Sequence, residues 1–211
     1  MLPAASFDEL NRLIKAKRSI PYEKYFGEME LTESEKKKRI SLAQIMEEKF
    51  TYVMILLFTM QQYNSFNWDF AKKEFVKKYL ESIDGYATTD SEFEQYISMQ
   101  ADRMTESTKE NTNNPYYFSL DRAKFIAENE SNTVRSFQCN QEAMQQNKTY
   151  KRWVSIMDGH TRLDHKKADG QIVKINDPFV VGDSLLNYPR DASLGADSSE
   201  IINCRCSVIY Y

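Results

Sequence analysis

The C-terminal stretch Tyr150–Tyr211 differs in composition from everything that precedes it. It holds both histidines, one of the two tryptophans, four of the six glycines and two of the three cysteines. Helical periodicity stops after Lys148, and short runs of β-branched and aromatic residues separated by glycine and proline take its place. The side chains best suited to metal binding or proton transfer are therefore concentrated here. We expect any functional site of the chain to lie in this stretch.

Size and charge limit the classes of protein that this chain can belong to. Its 211 residues suffice for one large or two small domains. A net charge of −3 argues against a general polyanion-binding surface but allows a local basic patch. No stretch reaches the roughly 18–20 apolar residues of a membrane span, and the N-terminus lacks the pattern of a signal peptide. Three cysteines, two of them one residue apart, predict no disulfide framework, so we expect synthesis in a reducing cytoplasm.

The residues before Tyr150 predict a helical region. Three capping-box sequences, Ser6–Glu9, Thr32–Glu35 and Thr89–Glu92, mark helix starts, and Tyr22–Gly27 reads as a loop. The predicted helices run from Ser6 over Leu10, Leu13 and Ile14 to Pro21, from Thr32 to about Tyr63, from Asn67 or Asp69 to about Ser82, from Thr89 into the polar stretch Glu106–Asn114, and from Ser119 to about Gln146.

Aromatic residues around the end of the second predicted helix have two interpretations. That helix becomes apolar on all sides from Tyr52 onward, which is typical of a helix buried in a core. The alternative is a surface that docks on a partner. The sequence leaves both open for Phe58, Tyr63, Phe66, Trp68 and Phe70.

Short strands are predicted in the C-terminal stretch, at Tyr150–Met157, Gln171–Ile175, Phe179–Val181 and Cys206–Tyr210. The predicted fold class is therefore α+β. A helical region over residues 1–118 precedes a small mixed domain over residues 119–211. Because about 60 residues make a marginal core, we expect the helix from Ser119 to pack on the strands and complete it.

A series of motif residues follows in order along this stretch. It comprises Trp153, Asp158-Gly159-His160-Thr161-Arg162-Leu163-Asp164-His165, Gly170, Phe179, Pro189 with Asp191, and Asn203-Cys204-Arg205-Cys206. The series resembles the phage Mu F-like minor head proteins, also called phage head morphogenesis proteins, over about residues 119–211. Arg122-Ala123, Ile126-Ala127 and Glu130 are similar to the helix that leads into that domain. Glu128-Asn129 stands where the family usually has Arg-Thr.

The resemblance implies a non-enzymatic minor head protein, made in few copies in an infected or lysogenic bacterium. Such a protein resides in the virion, at the portal or the inner capsid, and acts in head assembly and in genome packaging or ejection. Its partners would be portal or capsid proteins, attached through the N-terminal helices, and double-stranded DNA, with no membrane. The motif residues would hold the domain together: Trp153, Asp158, Arg162, Gly170, Phe179, Pro189, Asp191, Asn203 and Arg205.

The residues of this stretch also offer a set of metal ligands. Cys204 and Cys206 carry thiols, His165 carries an imidazole, and His160 or Asp158 can supply a fourth ligand for tetrahedral zinc. Two strand residues at i and i+2 face the same side, which suits the Cys-x-Cys pair. The alternative is that the histidine and cysteines are packed, hydrogen-bonded residues, as buried free cysteines often are.

Two further interpretations concern nucleic acid. Asp158, Arg162 and His165 have the chemistry of an acid–base set around a phosphate, which is the alternative of a phosphodiester-cleaving enzyme. Their closeness in sequence favours a structural network of salt bridges and hydrogen bonds over catalysis. Separately, a basic cluster interleaved with Tyr150 and Trp153 suits phosphate contacts with stacking. The aspartates among these residues lower the local potential and favour a solvated charged surface, whereas the family resemblance favours contact with DNA. The predicted DNA-contacting residues of the cluster are Lys151, Arg152, Lys166 and Lys167.

Overall fold

The computed structural model describes residues 6–13 and 20–211. Its helices are α1 (Phe7–Leu13), α2 (Tyr22–Gly27), α3 (Glu33–Gln62), α4 (Trp68–Ile83), α5 (Ser91–Glu110), α6 (Leu120–Gln145), α7 (Leu163–Ala168) and α8 (Ser198–Ile201), with a 3₁₀ turn at Pro115–Phe118. Its strands are β1 (Tyr150–Val154), β2 (Ile172–Lys174), β3 (Phe179–Val181), β4 (Ser184–Leu186) and β5 (Ser207–Tyr210). The α+β prediction is confirmed.

Side-chain caps begin most of the long helices where the sequence predicts. Thr32 Oγ1 accepts from the Glu35 amide at 3.2 Å, and Asn67 Oδ1 accepts from the Phe70 amide at 3.1 Å. The cap of α5 is Asp90 rather than Thr89, because the aspartate oxygen reaches the third amide of the helix. The predicted continuation of the first helix from Ile14 towards Pro21 lies outside the described residues.

The described residues divide into two compact units. The first contains the described residues up to Ile20, with Leu42–Gly85 and Thr89–Glu128. The second contains Pro21–Ser41, Tyr86–Thr88 and Asn129–Tyr211. The division predicted from the sequence, after residue 118, stays a prediction.

Aromatic packing holds the core of the first unit. Phe50 stacks on Phe75 with ring centroids 4.8 Å apart, and both rings are buried. Phe58 is buried as well, whereas Tyr63 and Phe70 are 78% and 43% exposed. The aromatic residues that the sequence leaves open are thus divided between core and surface.

The second unit contains two small antiparallel sheets. The three-stranded sheet has the order β2-β1-β5, and β3 pairs with β4 in the other. In the first sheet, Arg152 of the central strand β1 is in register with Ile172 of β2 and with Ile209 of β5. The strands predicted at Phe179 and near Cys206 are confirmed within a residue, whereas β4, α7 and α8 are not among the predicted elements.

The loop prediction for Tyr22–Gly27 is wrong, because these residues form α2. Pro21 directly precedes the first turn, where proline costs no hydrogen bond, since the first amides of a helix lack partners within it. Tyr22 and Phe26 lie four residues apart and are both buried. Packing of these two rings therefore stabilises a helix that is too short to be stable alone.

None of the helices among residues 6–13 and 20–211 is both long enough and apolar enough to cross a bilayer.

Candidate functional site

Trp153 is the centre of the core of the second unit. Its side chain is fully buried among Phe179, Ala168 and the two cysteines of the Cys-x-Cys pair. The Phe179 ring meets the indole edge to face at 5.3 Å. The indole Nε1 donates to Ser155 Oγ at 3.0 Å, so its polar atom is satisfied. One large side chain thus connects β1 to the segments that carry the candidate ligands.

His165, Cys204 and Cys206 meet in this core. His165 Nδ1 lies 3.2 Å from Cys206 Sγ and 3.5 Å from Cys204 Sγ. All three side chains are about 2% exposed. Their ligand atoms lie within 4.8 Å of one another, as in a group able to hold a metal ion. The structure therefore brings together the three residues that the sequence selects as metal ligands.

The side chains of Cys204 and Cys206 point to the same side of the chain, into the core. Both residues lie just before β5, the strand to which the sequence analysis assigns them. Strand β5 begins at Ser207, after the pair. Arg205, between the two cysteines, points away and pairs with Glu28 at 2.8 Å and with Asp158. The extended backbone thus sends both thiols inward and the arginine outward.

Glu200 on α8 completes the polar surroundings of His165. Its Oε2 lies 2.8 Å from His165 Nε2, although the alignment falls short of an ideal hydrogen bond. Neither atom has another polar partner among the described residues. A proton on Nε2 facing this carboxylate leaves the lone pair of Nδ1 directed at the two sulfurs.

The cluster shifts the acid–base properties of its members in opposite directions. Burial opposes ionisation of Cys204, but interactions with Cys206 and His165 hold its pKa well below the usual range of a thiol. The interaction with Cys204 raises the pKa of Cys206, and burial adds to that rise. Burial lowers the pKa of His165, but the Cys204 sulfur outweighs it, and the net direction is upward. The metal-free cluster therefore favours one thiolate, at Cys204, beside an imidazolium.

Helix α6 fixes the segment that carries the cysteines. Asn129 Oδ1 accepts from the amide of Asn203, a residue in the left-handed region at φ 58°. Asn132 Nδ2 donates to the Cys204 carbonyl at 2.9 Å. Arg190 Nη1 donates to the same carbonyl at 3.3 Å. Residues of α6 from Asn129 onward thus hold the segment before β5, but none of them belongs to the cluster of buried apolar residues around Trp153. That this helix completes the core of the strands stays a prediction.

The three residues of the predicted acid–base set bind different partners. The Asp158 carboxylate accepts from Arg205 and from Thr161 Oγ1. Burial opposes its ionisation, but these hydrogen bonds hold its pKa far below the usual range. Arg162 donates to the Ile202 carbonyl, and His165 faces the cysteines and Glu200. An arrangement of this kind stabilises loops and does not converge on one phosphate.

The remaining motif residues support the fold around the cluster. Gly170 has φ +77°, and its amide donates to the Trp153 carbonyl at 2.9 Å. Asp191 is 1% exposed and accepts from the amides of Asn187 and Ser193. Pro189 lies within this turn and is buried. These contacts are compatible with the structural role that the sequence assigns them.

The predicted DNA-contacting residues are not equivalent. Lys151 is fully buried, and its Nζ donates to the Asn187 carbonyl at 2.8 Å. Burial lowers its pKa to about 8, against the opposing effect of Asp191. Its assignment to DNA contact is therefore corrected, because a phosphate cannot reach this ammonium group. Lys167 is exposed, whereas Arg152 and Lys166 are half-buried.

Sequence reasoning missed Glu200, and the structure places both predicted fourth ligands, His160 and Asp158, outside the ligand group found among the described residues. His160 is exposed, and Asp158 is engaged by Arg205. A usable signal for Glu200 was its place four residues before Cys204, in a short helix capped by Asp197.

Comparisons with known proteins identify the family of the chain. A family model described as Phage Mu protein F like protein matches residues 89–209, which is more than half of the chain. The NAD(+)–arginine ADP-ribosyltransferase EFV of Enterococcus faecalis is 34% identical over 59 residues, or 28% of this chain and 12% of that protein. The chain thus corresponds to only a small part of that relative. No solved structure matches the chain. From the family match, the chain belongs to the phage Mu protein F-like family of phage head proteins.

Proposed function

We propose that this protein is a non-enzymatic minor head protein that acts in head assembly and in genome packaging or ejection. The match of the family model over residues 89–209 is the observation that carries the proposal. The separate partners of Asp158, Arg162 and His165 add to it, because they favour a stable module over a catalytic site. We place the protein in the virion, at the portal or the inner capsid surface.

We propose that the N-terminal helical region attaches the protein to the portal or to capsid proteins. Exposed apolar side chains in this region support the proposal: Tyr52, Ile55, Tyr63, Phe70 and Leu80 are between 39% and 78% exposed. Aromatic side chains of this kind are enriched at protein interfaces.

Deletion of the gene from the phage or prophage that encodes it tests this function. We expect fewer DNA-filled heads by electron microscopy, or filled heads that fail to deliver their genome, with infectivity restored by the wild-type chain. The reason is that a minor head protein acts on assembly or on the DNA rather than on host metabolism. Unchanged head numbers, DNA content and infectivity after deletion would refute the proposal.

We further propose that Arg152, Lys166 and Lys167 contact the phosphates of double-stranded DNA. Two of these cations already pair with carboxylates, which weakens their attraction for phosphate. Lys167 Nζ lies 3.0 Å from Asp164, and Arg152 lies 3.7 Å from Glu30. Each phosphate contact releases counterions, so weak binding that falls steeply with salt is expected.

The double variant Lys166→Gln with Lys167→Gln tests the DNA contact. We expect the slope of log affinity against log salt to decrease by roughly 0.9 for each phosphate that the variant no longer neutralises, up to about 2. Lys109→Gln is the matched control, because Lys109 also pairs three residues away, with Glu106 at 3.6 Å. Fluorescence anisotropy with a short duplex measures the slope. An unchanged slope in the double variant would exclude this surface.

A further inference from the structure

We propose that His165 Nδ1, Cys204 Sγ and Cys206 Sγ bind one zinc ion, and that Glu200 orients the histidine from outside the ligand set. The proposal rests on the geometry of the buried cluster and is independent of the role of the protein in the phage head.

The distances between the three ligand atoms suit a tetrahedral ion. Zn–S bonds of about 2.3 Å and Zn–N bonds of about 2.0 Å place nitrogen and sulfur about 3.5 Å apart at a tetrahedral angle. The observed separations from Nδ1 are 3.2 Å to Cys206 and 3.5 Å to Cys204. The two sulfurs lie within 4.8 Å of each other, so an ion between them needs only small side-chain adjustments.

Glu200 occupies the position that metal sites commonly give to a carboxylate. A histidine that binds a metal through one nitrogen usually donates its other N–H to a carboxylate or carbonyl. Glu200 Oε2 lies 2.8 Å from His165 Nε2, and the two atoms have no other polar partner in the described part of the chain. The buried carboxylate also offsets the charge of a bound cation. If His165 were only packed among apolar side chains, the buried carboxylate of Glu200 beside its Nε2 would have no role.

The surrounding structure holds the ligands before any ion binds. Asn132 and Arg190 fix the Cys204 carbonyl, and Asn129 fixes the preceding Asn203. On the other side, Ser155 Oγ donates to the His165 carbonyl at 2.7 Å. The backbones of Cys204 and His165 are thus attached to α6 and to the residue that follows β1, which reduces the conformational cost of binding.

The fourth coordination position is open to a ligand from outside the three residues. Ser155 Oγ lies 3.4 Å from Cys206 Sγ but already binds the indole of Trp153 and the His165 carbonyl. We therefore assign this position to water or to an anion. Two thiolates with one imidazole select zinc over hard cations such as magnesium or calcium.

Metal analysis of the wild-type protein is the first test. The tag-free protein, expressed with added zinc and freed of loosely bound metal by gel filtration, is expected to contain one zinc per chain by mass spectrometry. Removal of the zinc should lower the melting temperature, and its return should restore it. Reconstitution with Co²⁺ should give the sulfur-to-cobalt charge-transfer absorption of a thiolate site. Background zinc with no cobalt–thiolate absorption would overturn the proposal.

Single substitutions assign the ligands. Cys204→Ser and Cys206→Ser should each abolish stoichiometric zinc binding, whereas Cys139→Ser should retain it. Cys139 is the matched control, because it is the remaining cysteine of the chain and lies outside the ligand group. Glu200→Gln should keep one zinc per chain with roughly 10- to 100-fold weaker affinity, the usual effect of removing such a partner.

Two results separate the site from the alternatives even where a variant fails to fold. The cobalt spectrum of the wild-type protein needs no substitution and decides whether thiolates bind the ion. Thiol titration of the metal-free protein in denaturant should find three thiols. A count of one would indicate a Cys204–Cys206 disulfide and overturn the metal site.

Discussion

Replacement of Trp153 with alanine is expected to lower the free energy of unfolding by about 4 kcal/mol, at the upper end for core substitutions. The indole is fully buried and contacts both the Phe179 ring and the His165 ring. Its loss leaves a large cavity and removes the hydrogen bond from Nε1 to Ser155. Because Ser155 also holds the His165 backbone, the substitution should loosen the ligand cluster together with the core.

The other tryptophan supplies the control for this prediction. Trp68 is half-buried and stacks on Phe66 with ring centroids 4.5 Å apart. Trp68→Ala should therefore cost about 1 kcal/mol, since only part of its apolar surface leaves water on folding. Denaturant titration monitored by circular dichroism measures both variants. Equal losses in the two would contradict the central position of Trp153 in the core.

Replacement of Glu35 with glutamine is expected to lower the free energy of unfolding by about 3–5 kcal/mol. Its carboxylate accepts from Arg135 Nε at 3.1 Å and Nη2 at 2.8 Å, and from Arg39 Nε at 3.1 Å. Both arginines are 2% exposed. Without this carboxylate, two guanidinium groups remain buried side by side, and Arg135 keeps only a longer and more exposed pairing, with Glu142 at 3.9 Å. Arg39 also donates to Asn132 Oδ1, so the change should extend to the residue that holds the Cys204 carbonyl.

The stabilisation by Glu35 should depend on pH in a defined direction. Burial opposes its ionisation, but the hydrogen bond and charge of Arg135 and the charge of Arg39 outweigh burial and lower its pKa below 4.5. A carboxylate with a lowered pKa contributes its full stabilisation above the unfolded value and loses it as the pH falls through the folded value. The stability difference between wild type and Glu35→Gln should hold from pH 7 to 5 and shrink below about 4.5.

Glu33 is the matched control, two residues earlier in the same helix. It pairs with Lys36 at 3.1 Å, but its side chain is 80% exposed. Glu33→Gln should give no resolvable change, because exposed ion pairs contribute little. A loss at Glu35 no larger than at Glu33, or one that does not diminish in acid, would contradict the buried pairing.

Local rules allow much of the fold to be predicted. Ser, Thr, Asn and Asp at helix starts locate the long helices, because their oxygens satisfy amides that the helix leaves unpaired. Runs of β-branched and aromatic residues locate β1, β2 and β5. The short helices α7 and α8 escape such rules, since six and four residues carry too little periodicity and depend on tertiary packing.

Long-range pairing explains most of the failures at the candidate site. Sequence neighbours suggest that Asp158 pairs with Arg162, yet its partner is Arg205, 47 positions away. Glu200 escaped prediction because its place four residues before Cys204 does not by itself indicate that α8 faces α7. The burial of Lys151 was accessible from the sequence, since strand residues two apart share a face and Lys151 lies two residues before Trp153.

The ligand cluster is the part of the site that the sequence predicts best. His165, Cys204 and Cys206 were selected by residue type and by the i, i+2 spacing of the cysteines. The motif shared with the phage head family added the expectation that they meet in one small domain. The three side chains meet because the chain returns from α7 through the β3–β4 hairpin to α8. No local sequence pattern predicts this return.

The protein composition of purified phage heads tests the central proposal most directly. Particles separated into DNA-filled and empty heads, washed in high salt and analysed by quantitative mass spectrometry, should contain this chain in a few copies per head. The same particles from the deletion strain should lack it, and the complemented strain should regain it. Absence of the chain from both classes of head, although it accumulates in the producing cell, would contradict a minor head protein.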